Sequence, residues 1–181
     1  MGFPSVLKNF NVHGNGESYL GQVAEVTLPK ITMIMEGYRG GGMLSEARLD
    51  MGVSPMDFEW KPGGLMTPVL RQIGLPTLSG TQLRFSGAYQ NDSSGKWDSL
   101  EVLVRGRHEE VDMGTAKTGD KNEWSVKTNV AYYRLAVNGV IELEYGLLPP
   151  IFVVGGVDRL KEMRDILGIG GGPSFTVGVA L

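Results

Sequence analysis

Apolar and polar side chains alternate along much of this chain, with the period of two that is typical of a β-strand with one buried face. In residues 24–28, for example, Ala24, Val26 and Leu28 are apolar, whereas Glu25 and Thr27 are polar. The same alternation recurs before and after clusters of glycine and proline, which favour short connections between strands. It predicts strands over residues 24–28, 31–36, 47–51, 56–60, 83–89, 100–104, 124–133, 135–137 and 141–145.

Two short segments have the period of a helix instead. Thr67 followed by Pro68 is a good helix start, and Gly74 is a natural residue to follow the end, so a short helix is predicted between them. Residues 158–167 place Leu160, Met163 and Leu167 on one face, and Gly168 follows. The chain is therefore expected to be mainly β, with one or two short helices.

Residue types that favour turns lie between several of the predicted strands. Asn138-Gly139 lies between two apolar segments and predicts a tight hairpin, because both residues tolerate positive φ angles. Residues 91–95 predict a longer turn of the same kind. No internal repeat and no second domain is indicated. Residues 1–169 are expected to form one domain, followed by a glycine-rich extension over residues 170–181.

Composition narrows the function classes. The 181 residues include 41% hydrophobic and 20% charged positions, as in a globular protein, and they include no cysteine. Thiolate nucleophiles, zinc-thiolate sites and iron–sulfur clusters are thereby excluded. A formal net charge of −3 argues against a protein that grips nucleic-acid phosphates. No apolar run reaches the roughly 18 residues that a membrane helix needs, and the first residues do not resemble a signal peptide, so membrane binding is not expected.

Candidate chemistry is sparse. The two histidines, His13 and His108, are far apart and belong to no metal-binding or catalytic motif. His108 stands between arginines and Glu109-Glu110, which favours a solvated strand end over a catalytic base. With Asp112, those glutamates are interpreted as part of a charged face rather than a metal site. No cofactor, no metal and no enzymatic activity is predicted, although a catalytic triad assembled from distant positions stays open.

Several ordered blocks resemble the major tail tube proteins of contractile-tailed phages, and related tubes occur in R-type pyocins. The resemblance covers about residues 5–169. It departs at residues 170–181, to which it gives no role. The blocks are residues 7–11, 16–21, 26–30, 36–43, 58–60, 84–90, 104–108, 111–114, 132–133 and 157–160.

This resemblance implies a sandwich- or barrel-like tail tube fold whose strands join a closed barrel between subunits. It implies a homohexameric ring, stacked into a tube that conducts double-stranded DNA from the capsid during tail contraction. It also implies contacts with the tail sheath, the tape-measure protein and the baseplate or terminator proteins. The protein would then reside in the virion tail after assembly in the host cytoplasm.

Two sets of residues become candidates for assembly under that interpretation. A glycine-rich loop between two predicted strands is expected to contact the neighbouring ring, and acids opposite the apolar face of the early strands are candidates for the lumen, an outer solvated face or contacts between rings. Residues 7–19 are expected either to contact neighbours or to form an ordinary capped edge. The loop candidates are Gly37, Tyr38, Arg39, Gly40, Gly41, Gly42, Met43 and Leu44, and the acids are Glu25, Glu36, Glu46, Asp50, Asp57 and Glu59.

Two alternatives stay open. One is the injection tube of a pyocin or of a type VI secretion-like system, whose fold would be similar. The other is a monomeric ligand-binding or hydrolytic β-barrel, in which the glycine loops would border a pocket and carboxylates would act on a substrate.

Overall fold

A computed structural model describes residues 2–170 of this protein. Strands dominate it, and two short helices interrupt them. The strands are β1 (Ser5–Gly14), β2 (Glu17–Ser18), β3 (Val23–Thr27), β4 (Met33–Tyr38), β5 (Ala47–Val53), β6 (Asp57–Pro62), β7 (Thr81–Asn91), β8 (Trp97–Asp112), β9 (Ser125–Val137), β10 (Val140–Gly146), β11 (Ile151–Val154) and β12 (Val157–Asp158), and the helices are α1 (Thr67–Leu70) and α2 (Lys161–Leu167).

Ten strands form one antiparallel sheet that branches at β9. Its main order is β12-β11-β10-β9-β8-β7-β1-β2. The first part of β9 pairs with β6, which in turn pairs with β3, whereas the last part of β9 pairs with β10. Bulges in the β8–β9 ladder accompany this branch, one between Arg105 and Gly106 and one between His108 and Glu110. The first adds Ala131 to β9 and the second adds Glu109 to β8, and each bends the strand that carries it and increases its twist.

The hydrophobic core lies between the branch of β6 and β3 and the part of the sheet formed by β1, β7, β8 and β9. Phe58 and Trp60 on β6 are buried against residues of β7, β8 and β9, and Tyr19 stacks on Trp60 with ring centroids 5.7 Å apart. Phe10 on β1 stacks in the same way on Phe85 of β7 at 5.5 Å. These rings alternate with outward polar residues, as the period of two predicts. The predicted mainly β class is confirmed.

Strands β4 and β5 form a separate two-stranded sheet, which we call the arm (residues 33–53). Within the described residues neither strand pairs with the ten-stranded sheet. Since a lone two-stranded hairpin is marginally stable in water, the arm is an element that needs another surface to cover it.

His108 departs from its predicted position at a solvated strand end. Its side chain points into the core and is only 5% exposed. Nδ1 lies 2.9 Å from Oγ1 of Thr128, and Nε2 is buried without a hydrogen-bond partner. Burial lowers the pKa of His108 from 6.5 to about 4. The alternation on β8 determines this placement, because His108 shares a face with Val102 and Val104, and charged neighbours in sequence belong to the other face.

The helices are shorter than predicted. Helix α1 spans four residues and Met66, not Thr67, occupies its N-cap position. Helix α2 begins at Lys161, after a turn in which Asp158 accepts a hydrogen bond from the Leu160 amide. Gly168 ends it with a φ of 64°, as predicted from the sequence. The Asn138-Gly139 hairpin turn is also found, with φ angles of 50° and 80°.

Candidate functional site

One exposed sheet surface concentrates carboxylates, and we call it the charged face. It consists of the outward side chains of β3, β6, the first part of β9 and the last part of β8, all opposite the core. Its six acids outnumber its three bases, a difference of three negative charges. The acids are Glu25, Asp57, Glu59, Glu109, Glu110 and Asp112, and the bases are Lys61, Arg107 and Lys127.

Lysines on this face lie between acids of neighbouring strands. Lys61 Nζ is 2.8 Å from a carboxylate oxygen of Glu25, and Lys127 Nζ is 3.3 Å from Asp57 and 3.6 Å from Glu109. The hydrogen bond from Lys127 to Asp57, and then the charges of Asp57 and Glu109, raise the pKa of Lys127. Exposed pairs of this kind stabilise weakly, by about 0–1 kcal/mol, so their main effect is to fix side chains.

The uncompensated charge belongs mostly to acids without a basic partner. Among residues 2–170, neither Glu59 nor Glu110 has a lysine, arginine or histidine within 4 Å. Asp112 accepts a hydrogen bond of 2.8 Å from the Gly114 amide and stays exposed. The charged face is therefore electronegative, a property that disfavours contact with phosphate groups.

The four strands under the charged face end in two open edges. Strand β3 pairs with β6 on one side and, in the described part of the chain, with no strand on the other. Strand β7 covers β8 as far as Gly106, so residues 107–112 of β8 pair only with β9. Open edges expose unpaired backbone groups and invite pairing with another chain.

One face of the arm is largely apolar. Cross-strand pairing places Glu36 opposite Leu49 and Tyr38 opposite Ala47, so that Ile34, Tyr38 and Leu49 lie toward one face, which also carries Glu36. These three side chains are 41%, 57% and 49% exposed, and Leu44 at the turn is 96% exposed. Such a cluster of exposed apolar side chains on an isolated ribbon is characteristic of a protein contact surface.

The loop at the end of the arm is held by its own backbone. The Met43 amide donates to the Gly40 carbonyl at 3.3 Å, and Gly42 has a φ of 83°, which favours glycine. Gly37 lies close to the carboxylate of Glu46, an exposed side chain that can move away. Among these loop glycines, only Gly42 has a backbone conformation that favours glycine.

The structure divides the sequence-predicted residues between the two surfaces. Glu25, Asp57 and Glu59 lie together on the charged face. The other three acid candidates, Glu36, Glu46 and Asp50, lie on the arm, away from them. The loop candidates form the outer end of the arm: Gly37 and Tyr38 close β4, and Arg39, Gly40, Gly41, Gly42, Met43 and Leu44 make up the turn.

Sequence reasoning missed a buried ion pair that holds α2 to the sheet. The Arg164 guanidinium bonds to the Asp158 carboxylate and donates to the Pro150 carbonyl at 2.9 Å. The two side chains are 5% and 10% exposed. The hydrogen bonds from Arg164 hold the pKa of Asp158 below its usual value. The spacing of six residues indicates no helix pair, so the sequence alone offers no sign of this contact.

Two kinds of site were not found among residues 2–170. Within the described range, no group of three His, Cys, Asp or Glu side chains is arranged to hold a metal ion. Within the same range, no helix is long and apolar enough to cross a bilayer.

Comparisons with known proteins agree on one family. The family model described as phage tail tube protein FII matches residues 4–168. The tail tube protein of Escherichia phage P2 is 37% identical over 172 residues, covering 93% of this chain and 100% of that protein. The major tail tube protein of Serratia phage KSP20 is 32% identical over 174 residues, covering 94% of this chain and 100% of its own length.

Solved structures show the same fold at low identity. The sheath/tube terminator of an extracellular contractile injection system superimposes with a TM-score of 0.56 at 12% identity, over 75% of this chain and 96% of that one. A chain of the sheath-tube complex of such a system gives 0.56 at 12% identity, over 75% and 91%.

Proposed function

Because this chain belongs to the phage tail tube protein family and is a structural tail protein of contractile-tailed phages, we propose that six copies close into a ring and that stacked rings conduct double-stranded DNA. The proposal assigns the charged face to the lumen and the arm to the contact between rings. It assigns no catalytic step to the chain.

The observation that carries the proposal is the pair of open edges at β3 and at residues 107–112 of β8. The strands between them, in the order β8-β9-β6-β3, are all antiparallel to their neighbours. When β3 of one copy lies beside β8 of the next, the new pair is antiparallel as well. Each copy then contributes four strands to one continuous barrel, and both open edges disappear.

The size of that barrel suits a DNA duplex. Twenty-four strands about 4.8 Å apart and tilted by about 40° close to about 48 Å between opposite backbones. Side chains about 5 Å long on each side leave roughly 38 Å. A duplex about 20 Å wide passes through such an opening. Four strands from one copy would close to only about 8 Å, so one subunit cannot enclose DNA.

The charge of the face suits a conduit. Phosphate contacts from a basic wall would slow the DNA, whereas carboxylates repel it. Glu25 and Asp57 are paired with lysines, and Glu59 and Glu110 are not. The unpaired acids provide the repulsion, while the paired ones keep Lys61 and Lys127 away from the phosphates.

The arm supplies a contact along the tube axis. Its apolar face, with Ile34, Tyr38 and Leu49, is uncovered in the single chain. In the stacked tube this face and the loop from Gly37 to Leu44 lie against the neighbouring ring. Burial of the three side chains there contributes about 1.5–3 kcal/mol each at most, because they are only half exposed beforehand.

Partners outside the tube follow from the same role. The sheath surrounds the stacked rings, the tape-measure protein occupies the lumen during assembly, and baseplate or terminator proteins close the ends. The solved chains of similar fold are a sheath/tube terminator and a chain from a sheath-tube complex, which supports this arrangement. Assembly takes place in the host cytoplasm, and the product is part of the virion tail.

A headless injection tube is the second candidate, favoured by the fold shared with contractile injection systems. It uses the same ring and differs in cargo. Capsid and tape-measure genes beside this gene support a phage tail, whereas a tail gene cluster without a capsid gene supports the headless particle.

Electron microscopy of the purified protein tests the ring directly. We expect stacked rings with a central opening. A chain that stays a 19.6 kDa monomer on a sizing column over a wide concentration range would contradict the proposal.

A deletion separates ring closure from stacking. Removing Arg39–Met43 shortens the arm loop, so we expect rings without long tubes. Removing Ser93–Ser94, in the exposed turn between β7 and β8, is the matched control and leaves tubes intact. Long tubes after the first deletion would refute the role of the arm.

A further inference from the structure

Strand β1 has a third open edge, which neither the ring nor the arm uses. It pairs with β7 over its whole length, whereas β2 covers only His13 and Gly14 on the other side. The Phe10 amide on this strand donates to the side chain of its neighbour Asn9 at 2.8 Å instead of to another strand. Within the described residues, the first part of β1 therefore has backbone groups that no strand satisfies.

This edge is rigidly placed and apolar. Ser5 Oγ donates to Asp98 at 2.8 Å, and Lys8 forms an ion pair of 2.8 Å with Asp92, so β1 is tied to the hairpin of β7 and β8. Val6 and Leu7 nevertheless remain 50% and 38% exposed. Lys8, which lies in a bulge of β1, protects this edge at one point, whereas Val6 and Leu7 stay exposed, and an exposed apolar edge leads to aggregation. A strand that covers this edge of β1 in the assembled state would prevent such aggregation.

The chain carries a segment with the composition of such a cover. Residues 174–181, which lie outside the described residues and beyond the family match ending at residue 168, read SFTVGVAL. Phe175, Val177, Val179 and Leu181 alternate with Ser174, Thr176, Gly178 and Ala180. Strict alternation over eight residues is typical of a strand with one buried face.

Reach and topology identify the copy that receives the segment. Helix α2 is fixed beside β11 and β12 by the Arg164–Asp158 pair, and six residues, 168–173, connect it to Ser174. Six extended residues span at most about 21 Å. Strand β1 of the same copy lies six strand spacings from β12, about 29 Å across the sheet.

The proposed ring offers a second β1 edge, on the neighbouring copy. The ring places the side of one copy that bears β3 and β12 against the side of the next that bears the β8 edge and β1, because these are opposite sides of the branched sheet. We propose that residues 174–181 of one subunit add as an edge strand to β1 of the next subunit in the same ring. This inference rests on the proposed ring and gives the C-terminal extension a role as a strap between subunits.

Disulfide cross-linking tests the contact, and the chain suits it because it contains no cysteine. Cysteine is placed at Leu7 together with one of Phe175, Val177 or Val179, so that the series covers the possible registers. Paired positions on adjacent strands bring Cα atoms within the 4.4–6.8 Å that a disulfide requires. Leu65→Cys with the same second positions is the control, since Leu65 is 77% exposed and lies before α1.

We expect oxidised tubes to give, for at least one pair, a ladder of linked subunits that ends at six. If the pairs with cysteine at position 7 form no more disulfides between subunits than the pairs with cysteine at position 65, the strap is wrong. Disulfides that form only within single subunits would also overturn it. Absence of rings in the unsubstituted protein would instead overturn the proposed function, so the two failures are distinguishable.

Charge placed on the apolar side of the segment gives a second measurement. With Val177→Asp we expect the protein concentration needed for tubes to rise at least tenfold. With Thr176→Asp, on the other side of the alternation, we expect less than a twofold change. Equal effects of the two substitutions would also overturn the strap.

Discussion

The buried imidazole of His108 makes a prediction about stability in acid. Protonation would place a charge in the core, where Nε2 has no partner and Nδ1 already faces Thr128. Burial lowers the pKa in the folded chain to about 4, against 6.5 in the unfolded chain. Below pH 6.5 His108 therefore binds a proton in the unfolded chain but not in the folded chain, and stability falls as the pH falls toward 4.

The magnitude follows from the two pKa values. One pKa unit corresponds to about 1.4 kcal/mol, so the full shift costs about 3 kcal/mol once the pH is below both values. Between pH 7 and pH 5 the unfolded histidine becomes almost fully charged and the folded one does not. This single residue should then lower the free energy of unfolding by about 2 kcal/mol over that interval.

Urea denaturation at pH 7 and pH 5 measures the effect. Carboxylates such as Asp158 add their own acid dependence, so the relevant quantity is the difference between the wild type and His108→Asn. Asparagine can keep a hydrogen bond to Thr128 and does not titrate. Between pH 7 and pH 5, the free energy of unfolding of His108→Asn should therefore fall by about 2 kcal/mol less than that of the wild type. Both proteins are measured at one fixed low protein concentration, because self-association also stabilises the native state.

A matched control removes the other histidine. His13→Asn is measured at the same two pH values, so that the loss of a histidine elsewhere is compared with the loss of the buried one. If His108→Asn shows the wild-type difference between pH 7 and pH 5, protonation of the buried imidazole does not contribute, and the reasoning from burial is wrong.

Three further predictions concern the clamp, the β8–β9 bulge at Gly106 and the lumen. Arg164→Met leaves the Asp158 carboxylate buried without its partner and should lower the free energy of unfolding by about 3–5 kcal/mol in urea denaturation. The control Lys161→Met breaks the exposed pair with Asp165 and should cost under about 1 kcal/mol. Equal costs would contradict the role of the Arg164–Asp158 pair, the clamp, in stability. Gly106→Ala would place a methyl group against the Asn129 carbonyl and should lower the free energy of unfolding by about 1–3 kcal/mol. The control Gly41→Ala meets open space and should be nearly neutral. A neutral Gly106→Ala would mean that the bulge adjusts freely. Tubes carrying Glu59→Lys and Glu110→Lys should retain short DNA duplexes at low salt and release them at high salt. Tubes carrying the control Glu162→Lys on α2 should not retain them. Equal retention by the two kinds of tube would contradict the assignment of the charged face to the lumen.

Much of the fold could be predicted from alternation. Strands around residues 56–60 and 83–89 are found, because each has one face in the core and its period of two is intact. Strands around residues 24–28 and 141–145 are also found, although a bulge interrupts each. The hairpin turn at Asn138-Gly139 was predictable because few residue pairs tolerate its φ angles. The helix ends were less predictable: α1 includes Thr67, and Met66 occupies the N-cap position without a side-chain capping bond.

Other features could not be predicted from the local sequence, for three physical reasons. His108 looks exposed in a window of charged neighbours, yet the face on which a strand residue lies depends on parity, and His108 has the parity of Val102 and Val104. Glu36, Glu46 and Asp50 follow the same alternation as Glu25, but the arm is detached from the main sheet, and no local pattern announces that detachment. The Arg164–Asp158 pair depends on how α2 packs back on β11 and β12, which only the tertiary structure determines.

The even number of strands under the charged face has a consequence for the evolution of tube width. In the proposed ring, four antiparallel strands per copy return the chain direction to its starting sense, so every junction between copies is antiparallel whatever the number of copies. Hydrogen-bond pairing then does not select among five, six or seven subunits, and copy number is left to the bend of the sheet. We expect the bulges at Ala131 of β9 and Glu109 of β8 to contribute to that bend. Substitutions at these bulges should then change the bore of the tube without changing how one subunit pairs with the next.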